Sequence, residues 1–466
     1  MTSSLRENID KIVLVFSVLF VFSTPIMLLN GQIQISDFIF VFLFLAFLVQ
    51  IMLRKNLSLG LIKESLLGLF ILLSSMSSIF SYFYSDFSLN LVFDLSAQLY
   101  PMAILVVCYL VFVNNKRDFE YLLSSQSFAY TAVISIGILA AFFSFLGFDN
   151  SYAPVNNQIA KVLMLEDFIP ELFRIHSTLG PTSKLFGTYS FLLLLPFIVF
   201  LSYRKYSSLL ILIIFYICLA VSTFSLSKTL PSLFLISFFF FAFFRRYSFM
   251  NSLLKYLSIF LFLSSFIALQ FLSIIYGVET SYELKKNFDH KKEIITVDEK
   301  EFYNRIYFYN NDGSVYDLKL DITLAFNHYY HLKKAAYKSW KKKPIFGHGP
   351  GSYRESTLMS VKDEKVTKEL GFKENNYTDA QSEYMNQLAE RGALGLLAFL
   401  LLWFYSIFLV FRSQSNDLAK GFGFGMIAMV FTMVDLQIYE FRFIWVGLAI
   451  ALASVTVLSK NEKCVV

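Results

Sequence analysis

Five histidines are all that this 466-residue chain carries, and every one lies outside its apolar runs. Four of them, His290, His328, His331 and His348, fall in one polar stretch over 277–390. His348 sits inside Pro344-Ile345-Phe346-Gly347-His348-Gly349-Pro350-Gly351-Ser352-Tyr353. The stretch closes on Asp379-Ala380-Gln381-Ser382-Glu383-Tyr384, directly before another hydrophobic run. Histidine and carboxylates are the side chains that take a proton from an attacking hydroxyl. The glycines at 347, 349 and 351 follow no strand and open no nucleotide fold, so they read as a tight turn or a close backbone approach.

A second set is charged and sits at the edges of apolar runs, where charge is costly and marks function by default. It comprises Asp94, Lys228, Asp435, Glu440 and Arg442, with Arg174 and Lys184 flanking His176 and Gly180-Pro181-Thr182. Each alone reads equally well as a snorkelling side chain or a structural ion pair. Together they suit a diphosphate, because Arg offers planar bidentate donors and Lys a point charge. A sugar leaving from a lipid diphosphate has a good leaving group, which cations can stabilise without a general acid. There is no Asp-x-Asp pair and no His-Cys cluster, so neither a metal-held nucleotide sugar nor any cofactor is expected.

The elements that must position these residues are membrane spans. The chain is 56% hydrophobic and only 16% charged, against about 25% charged in soluble domains. The expected class is therefore an all-α polytopic membrane protein. Spans are expected near 11–29, 35–53, 64–84, 91–113, 127–147, 185–203, 207–226, 229–244, 254–276, 393–411, 421–439 and 443–458, about twelve in all. Arg54-Lys55, Lys116-Arg117, Arg204-Lys205, Arg245-Arg246, Arg412 with Lys420, and Lys460 with Lys463 occupy alternate connections. The positive-inside rule makes those connections and both termini cytoplasmic. The long connections 148–184 and 277–392 then fall on the other face. The first apolar run is followed by no small-residue cleavage site and reads as a retained helix. Cys108 and Cys218 lie in spans and Cys464 in the tail, so no disulfide framework is expected.

This organisation divides the chain into 1–276 with nine spans, a large loop 277–392, and 393–466 with three spans and a tail. Within the loop, Arg305 to Leu320 alternates around Asn310-Asn311-Asp312-Gly313, a hairpin signal. Tyr329 to Lys343 reads as an amphipathic helix with Tyr329, Leu332, Ala336 and Trp340 on one face. Lys334, Lys338, Lys341 and Lys342 share the other face, either solvated above headgroups or forming a wall for a lipid diphosphate.

At these residues the chain resembles the O-antigen ligase and O-antigen polymerase superfamily of bacterial membrane glycosyltransferases. Pro344 to Tyr353 looks like the family's glycine-rich loop motif, and Asp379 to Gly395, ending Leu388-Ala389-Glu390-Arg391-Gly392-Ala393-Leu394-Gly395, looks like the segment entering the next span. Arg174 with Gly180-Pro181-Thr182, Ser227-Lys228, and Arg442 to Gly447 with Trp445 are similar to further family pieces. The resemblance implies metal-free transfer of a glycan from undecaprenyl diphosphate at the periplasmic face of the inner membrane. The acceptor is lipid A–core in a ligase and another lipid-linked repeat unit in a polymerase. Arg174, Lys184, Lys228 and Lys338 would then hold the diphosphate. The family carries His where this chain has Gln381, and an amide cannot act as a base. Either His348, Asp379 or Glu383 takes that role, Gln381 only positions the sugar, or activity is lost. A polysaccharide transporter or flippase and a non-catalytic assembly partner are the readings from other classes. Against transport stand the lack of a half-to-half repeat and the placing of charges at span ends.

Overall fold

The structure is a computed structural model describing residues 3–26, 34–54, 58–87, 94–145, 183–223, 324–361, 380, 382–413, 417–434, 436–437, 439 and 441–458. Every regular element among them is helical. The helices are α1 (Ser3–Ser23), α2 (Ile35–Arg54), α3 (Leu61–Glu64), α4 (Leu67–Phe83), α5 (Ser96–Asn114), α6 (Phe119–Phe145) and α7 (Ser183–Tyr203). They continue with α8 (Ser208–Thr223), α9 (Leu324–Lys342), α10 (Tyr353–Val361), α11 (Glu383–Arg412), α12 (Asp417–Thr432) and α13 (Arg442–Leu458). The expected spans 229–244 and 254–276, and the hairpin around Asp312-Gly313, lie outside the described residues.

Among the described residues, four helical stretches are long and apolar enough to cross a membrane: Ile35–Arg54, Ser96–Asn114, Lys116–Leu139 and Glu383–Arg412. The physical reason is shared. In hydrocarbon every backbone N–H and C=O must bond within the segment, so an apolar run of roughly 20 residues is held as a helix.

Hydrogen bonds between side chains fix how the helices stand. At one end, Gln50 reaches Asp10 at 2.7 Å and Asn115 at 2.8 Å, and Arg54 pairs with Asp10 at 2.6 Å. Arg204 reaches Ser124 near the start of α6 at 3.4 Å, and Gly421 of α12 comes against Pro196 of α7. At the other end, Arg442 grips Asp37 through Nε and Nη2, both at 3.1 Å, and Tyr100 donates to the same carboxylate at 2.8 Å. Arg442 is thus part of an ion pair joining the first turns of α2 and α13.

Close helix packing is built from small residues. On α4, Ser74, Ser77, Ser78 and Ser81 are all buried and let α11 approach. On α12, a Cβ at Gly421 would stand 3.2 Å from the Pro196 nitrogen of α7, and one at Gly425 would strike the Leu192 carbonyl. This is the small-xxx-small solution to helix association where lipid competes with any apolar side chain. At the centre, Trp403, Trp445, Tyr439 and Phe399 pack with ring centroids 5.2–6.2 Å apart.

The helices expected at 11–29 and 127–147 begin eight residues earlier, at Ser3 and Phe119, and two further boundaries that differ from the sequence expectation bear on the site. The run expected at 393–411 belongs to a helix that starts at Glu383 and kinks at Gly392 (φ 67°, ψ −167°). Its first turns are polar yet buried, because a folded loop covers them. The run expected at 421–439 stops being helical after Thr432. There Glu383 takes over the backbone: its N–H donates to the Met433 carbonyl at 2.9 Å and its Oε2 accepts from the Tyr439 N–H at 3.0 Å.

Candidate functional site

The glycine-rich turn leaves α9 at Lys342 and is docked on the kink of α11. Gly347, Gly349 and Gly351 all have positive φ, at 70°, 108° and 77°. The His348 N–H donates to the Ala389 carbonyl at 3.0 Å and the Gly349 N–H to the Glu390 carbonyl at 2.8 Å. In return, the N–H groups of Ala393 and Leu394 donate to Pro344 and Ile345 at 2.8 and 3.2 Å. The kink at Gly392 frees the N–H and C=O groups that make this exchange. The approach is so close that a Cβ on Gly347 would overlap the Glu390 carbonyl, and one on Gly392 the Ile345 carbonyl. Two motifs far apart in sequence are therefore one structural unit.

Neighbouring helices clamp that unit. Ser81 of α4 donates to the Glu390 carbonyl, and Ser85 donates to the His348 carbonyl at 2.5 Å. Lys343 bonds the Tyr84 carbonyl at 2.8 Å and pairs with Asp86 at 2.6 Å. The Phe346 ring stacks on Tyr84 with centroids 4.8 Å apart and planes 7° apart. Gly351 faces Asp94, whose Oδ1 would lie 2.8 Å from an added Cβ. Below the turn, Tyr353 is buried against Ala336, Ala380 and Ala389 and donates its hydroxyl to the Leu332 carbonyl at 3.0 Å. The apolar face of α9, centred on Leu332, Ala335, Ala336 and Ser339, is covered by α10 and α11. Lys341 and Lys342 are exposed on the opposite face, and Lys338 is half-buried.

His348 is buried beneath this turn. Its Nε2 lies 2.9 Å from the Ser339 carbonyl, and a carbonyl only accepts, so the neutral ring carries its proton there. Nδ1 is then a buried lone pair with no partner among the described residues. Burial pushes the histidine pKa below its ordinary value, and repulsion from Lys343 adds to that. The Ser339 carbonyl and Asp86 act the other way. A neutral imidazole with an open nitrogen is the form a general base requires.

Glu383, the described carboxylate candidate, is differently occupied. It is 1% exposed, with Oε1 accepting from Gln387 and Oε2 from the Tyr439 N–H. Both oxygens thus hold the first turn of α11 to the 433–439 turn. Ala380 is buried and its N–H donates to Asn386 at 2.7 Å. Lys184 lies in the first turn of α7. Arg174, Lys228, Asp379 and Gln381 lie outside the described residues, as do Asp435 and Glu440. Among the described residues no three His, Cys, Asp or Glu side chains converge.

The structure adds a group that the sequence reading had quoted only as part of a motif. Arg391 is wholly buried, between α4 and the Tyr439 turn. Its Nη1 donates to Ser78 Oγ at 2.9 Å and weakly to the Ser74 carbonyl at 3.5 Å. The guanidinium lies over the Tyr439 ring at 4.8 Å. Its Nε and Nη2 have no hydrogen-bond partner among the described residues. A desolvated cation–π contact contributes about 2 kcal/mol. Burying an ion costs on the order of several kcal/mol, and each unmet donor roughly 1–3 kcal/mol more. The described contacts therefore leave this charge undercompensated. Beside it, Gln98 donates to Glu390 Oε2 at 3.1 Å and Tyr439 donates to the Gln98 carbonyl at 2.7 Å.

Fold and site together define a helical membrane protein with a docked glycine-rich turn at one end of its bundle. No protein-family model matches the chain, and no curated protein matches it.

Proposed function

We propose that this chain is an O-antigen ligase-like membrane glycosyltransferase. It moves a glycan from undecaprenyl diphosphate to a hydroxyl of lipid A–core at the periplasmic face of the inner membrane. The observation that carries the reading is the backbone exchange between 344–349 and 389–394. Those are the two segments on which the family resemblance rests most, and their interlocking gives the resemblance a physical sense. The basic helix ends at the opposite end of the bundle support an orientation with both termini cytoplasmic.

In this reading His348 Nδ1 accepts the proton of the acceptor hydroxyl. The hydroxyl oxygen bonds to the anomeric carbon as the bond from that carbon to the diphosphate oxygen breaks. The lipid diphosphate leaves as the anion, held by Arg174, Lys184, Lys228 and Lys338. Glu383 positions rather than reacts, since both its oxygens are engaged.

The discriminating experiment follows the donor. Purified protein in vesicles is given undecaprenyl-diphosphate glycan and an acceptor, and free undecaprenyl diphosphate is quantified. Its release with time is expected. Donor that only changes leaflet, with the sugar–phosphate bond intact, makes the chain a transporter instead.

A further inference from the structure

We infer that Arg391, with Ser74 and Ser78, forms an enclosed seat for one phosphate group in the seam between α4 and α11. The guanidinium is fully buried, and among the described residues Nη1 alone of its nitrogens has a hydrogen-bond partner, which leaves Nε and Nη2 as a planar pair of donors with none there. Nε and Nη2 lie on one edge of a guanidinium and match two oxygens of a phosphate. Ser74 Oγ is a further buried hydroxyl with no partner among the described residues, on the helix toward which Nη1 points. Gly395 accommodates the stem of Arg391, because a Cβ there would run into the Arg391 Cβ.

The surroundings favour an anion over water. Among the described residues, Glu390 accepts from Gln98, and Glu383 accepts from Gln387 and the Tyr439 N–H. Next to Arg391 the buried face of α4 is serine, with Leu67 and Ile71 further along it, so a phosphate entering at the serines forfeits little apolar burial. Arg391 also lies one residue before the kink, where the apolar part of α11 begins. That is headgroup depth for a helix of this length. The ligand class is an oxyanion of phosphate, supplied by a lipid diphosphate or by a free one. Only the lipid source rests on the proposed function.

The test uses the full-length protein in detergent. Its thermal unfolding midpoint is recorded during titration with inorganic pyrophosphate at constant ionic strength. The midpoint is expected to rise saturably by several degrees. Arg391→Met should fold with an unchanged or higher midpoint in buffer, since an apolar replacement removes an undercompensated ion, and should show no rise. Ser78→Ala keeps the guanidinium and should need severalfold more pyrophosphate for the same rise. No rise in the wild type, or a rise retained by Arg391→Met, overturns the site. Should Arg391→Met not fold, a Ser78→Ala titration coinciding with wild type overturns it equally.

Nanodiscs containing polyprenyl diphosphate, compared with phosphatidylglycerol alone, separate the sources. A stabilisation carried by the polyprenyl lipid assigns the lipid source, and one produced only by free pyrophosphate assigns the soluble source. Glycan transfer is measured on the same preparations. Absent transfer with an Arg391-dependent shift removes the transferase reading and keeps the seat. Intact transfer with no shift removes the seat and keeps the reading.

Discussion

Gly349 donates its amide hydrogen to the Glu390 carbonyl at 2.8 Å, and around this bond a turn and a helix kink complete each other. The relation is mutual. The turn meets backbone groups that the kink exposes, and the kink is covered by the turn. Either segment alone would leave polar backbone unsatisfied at the edge of an apolar run, a cost on the order of 1–3 kcal/mol per group.

Gly392→Ala is the sharpest probe of this lock. A φ of 67° with ψ of −167° is open essentially only to glycine, and the added Cβ would also overlap the Ile345 carbonyl. The strain alone is roughly 1–3 kcal/mol. The expected outcome is a thermal midpoint lowered by several degrees, with protease cleavage appearing within 344–351. An unshifted midpoint and an uncut turn would show that the two segments are not locked together.

His348 makes stability depend on pH. Burial holds its folded pKa below the ordinary 6.5. Between the two values the unfolded chain binds more protons, so this contribution is present above 6.5 and is lost as pH falls through the folded value. Between about pH 7.5 and pH 5 the wild-type midpoint should fall more steeply than that of His348→Gln, whose amide can still donate to Ser339. Parallel curves for the two proteins would contradict the assignment.

Asp37 and Arg442 tie the first turns of α2 and α13 through a two-point fork that is mostly shielded, at 20% and 11% exposure. A double-mutant cycle with Asp37→Asn and Arg442→Gln should give a coupling of roughly 1–3 kcal/mol that changes little with salt. Arg442→Lys should recover only part of it, because an ammonium cannot make the fork. A coupling below about 0.5 kcal/mol would reduce the pair to a surface contact.

The apolar runs were legible because hydrocarbon leaves the backbone no alternative to a helix, as α2 and α5 illustrate. Reading α11 as starting only at 393 failed for a physical reason. Glu383, Gln387, Glu390 and Arg391 look solvated by type, yet each is buried against backbone or another polar group. Their spacing of four and seven residues places Glu383, Gln387 and Glu390 on one helix face, a polar stripe that an apolar-periodicity search ignores. The span expected to reach 439 was overextended because hydropathy cannot register that Glu383 captures the Met433 and Tyr439 backbone. At the site, the glycine spacing pointed to the turn that holds His348. Arg391 stayed hidden, since nothing in a sequence tells which donors of a buried guanidinium go unmet. Asp37 was likewise passed over, because its partner Arg442 lies at the far end of the chain.

The most direct test of the proposed transfer is a reconstitution with undecaprenyl-diphosphate glycan, with lipid A–core in one reaction and no acceptor in the other. Glycan joined to lipid A–core in the first reaction alone is the expected result, and His348→Gln should lower its rate by roughly 10²–10⁴-fold. Longer lipid-linked glycan without lipid A–core would make the chain a polymerase. No product in either reaction from folded protein would contradict transferase activity itself.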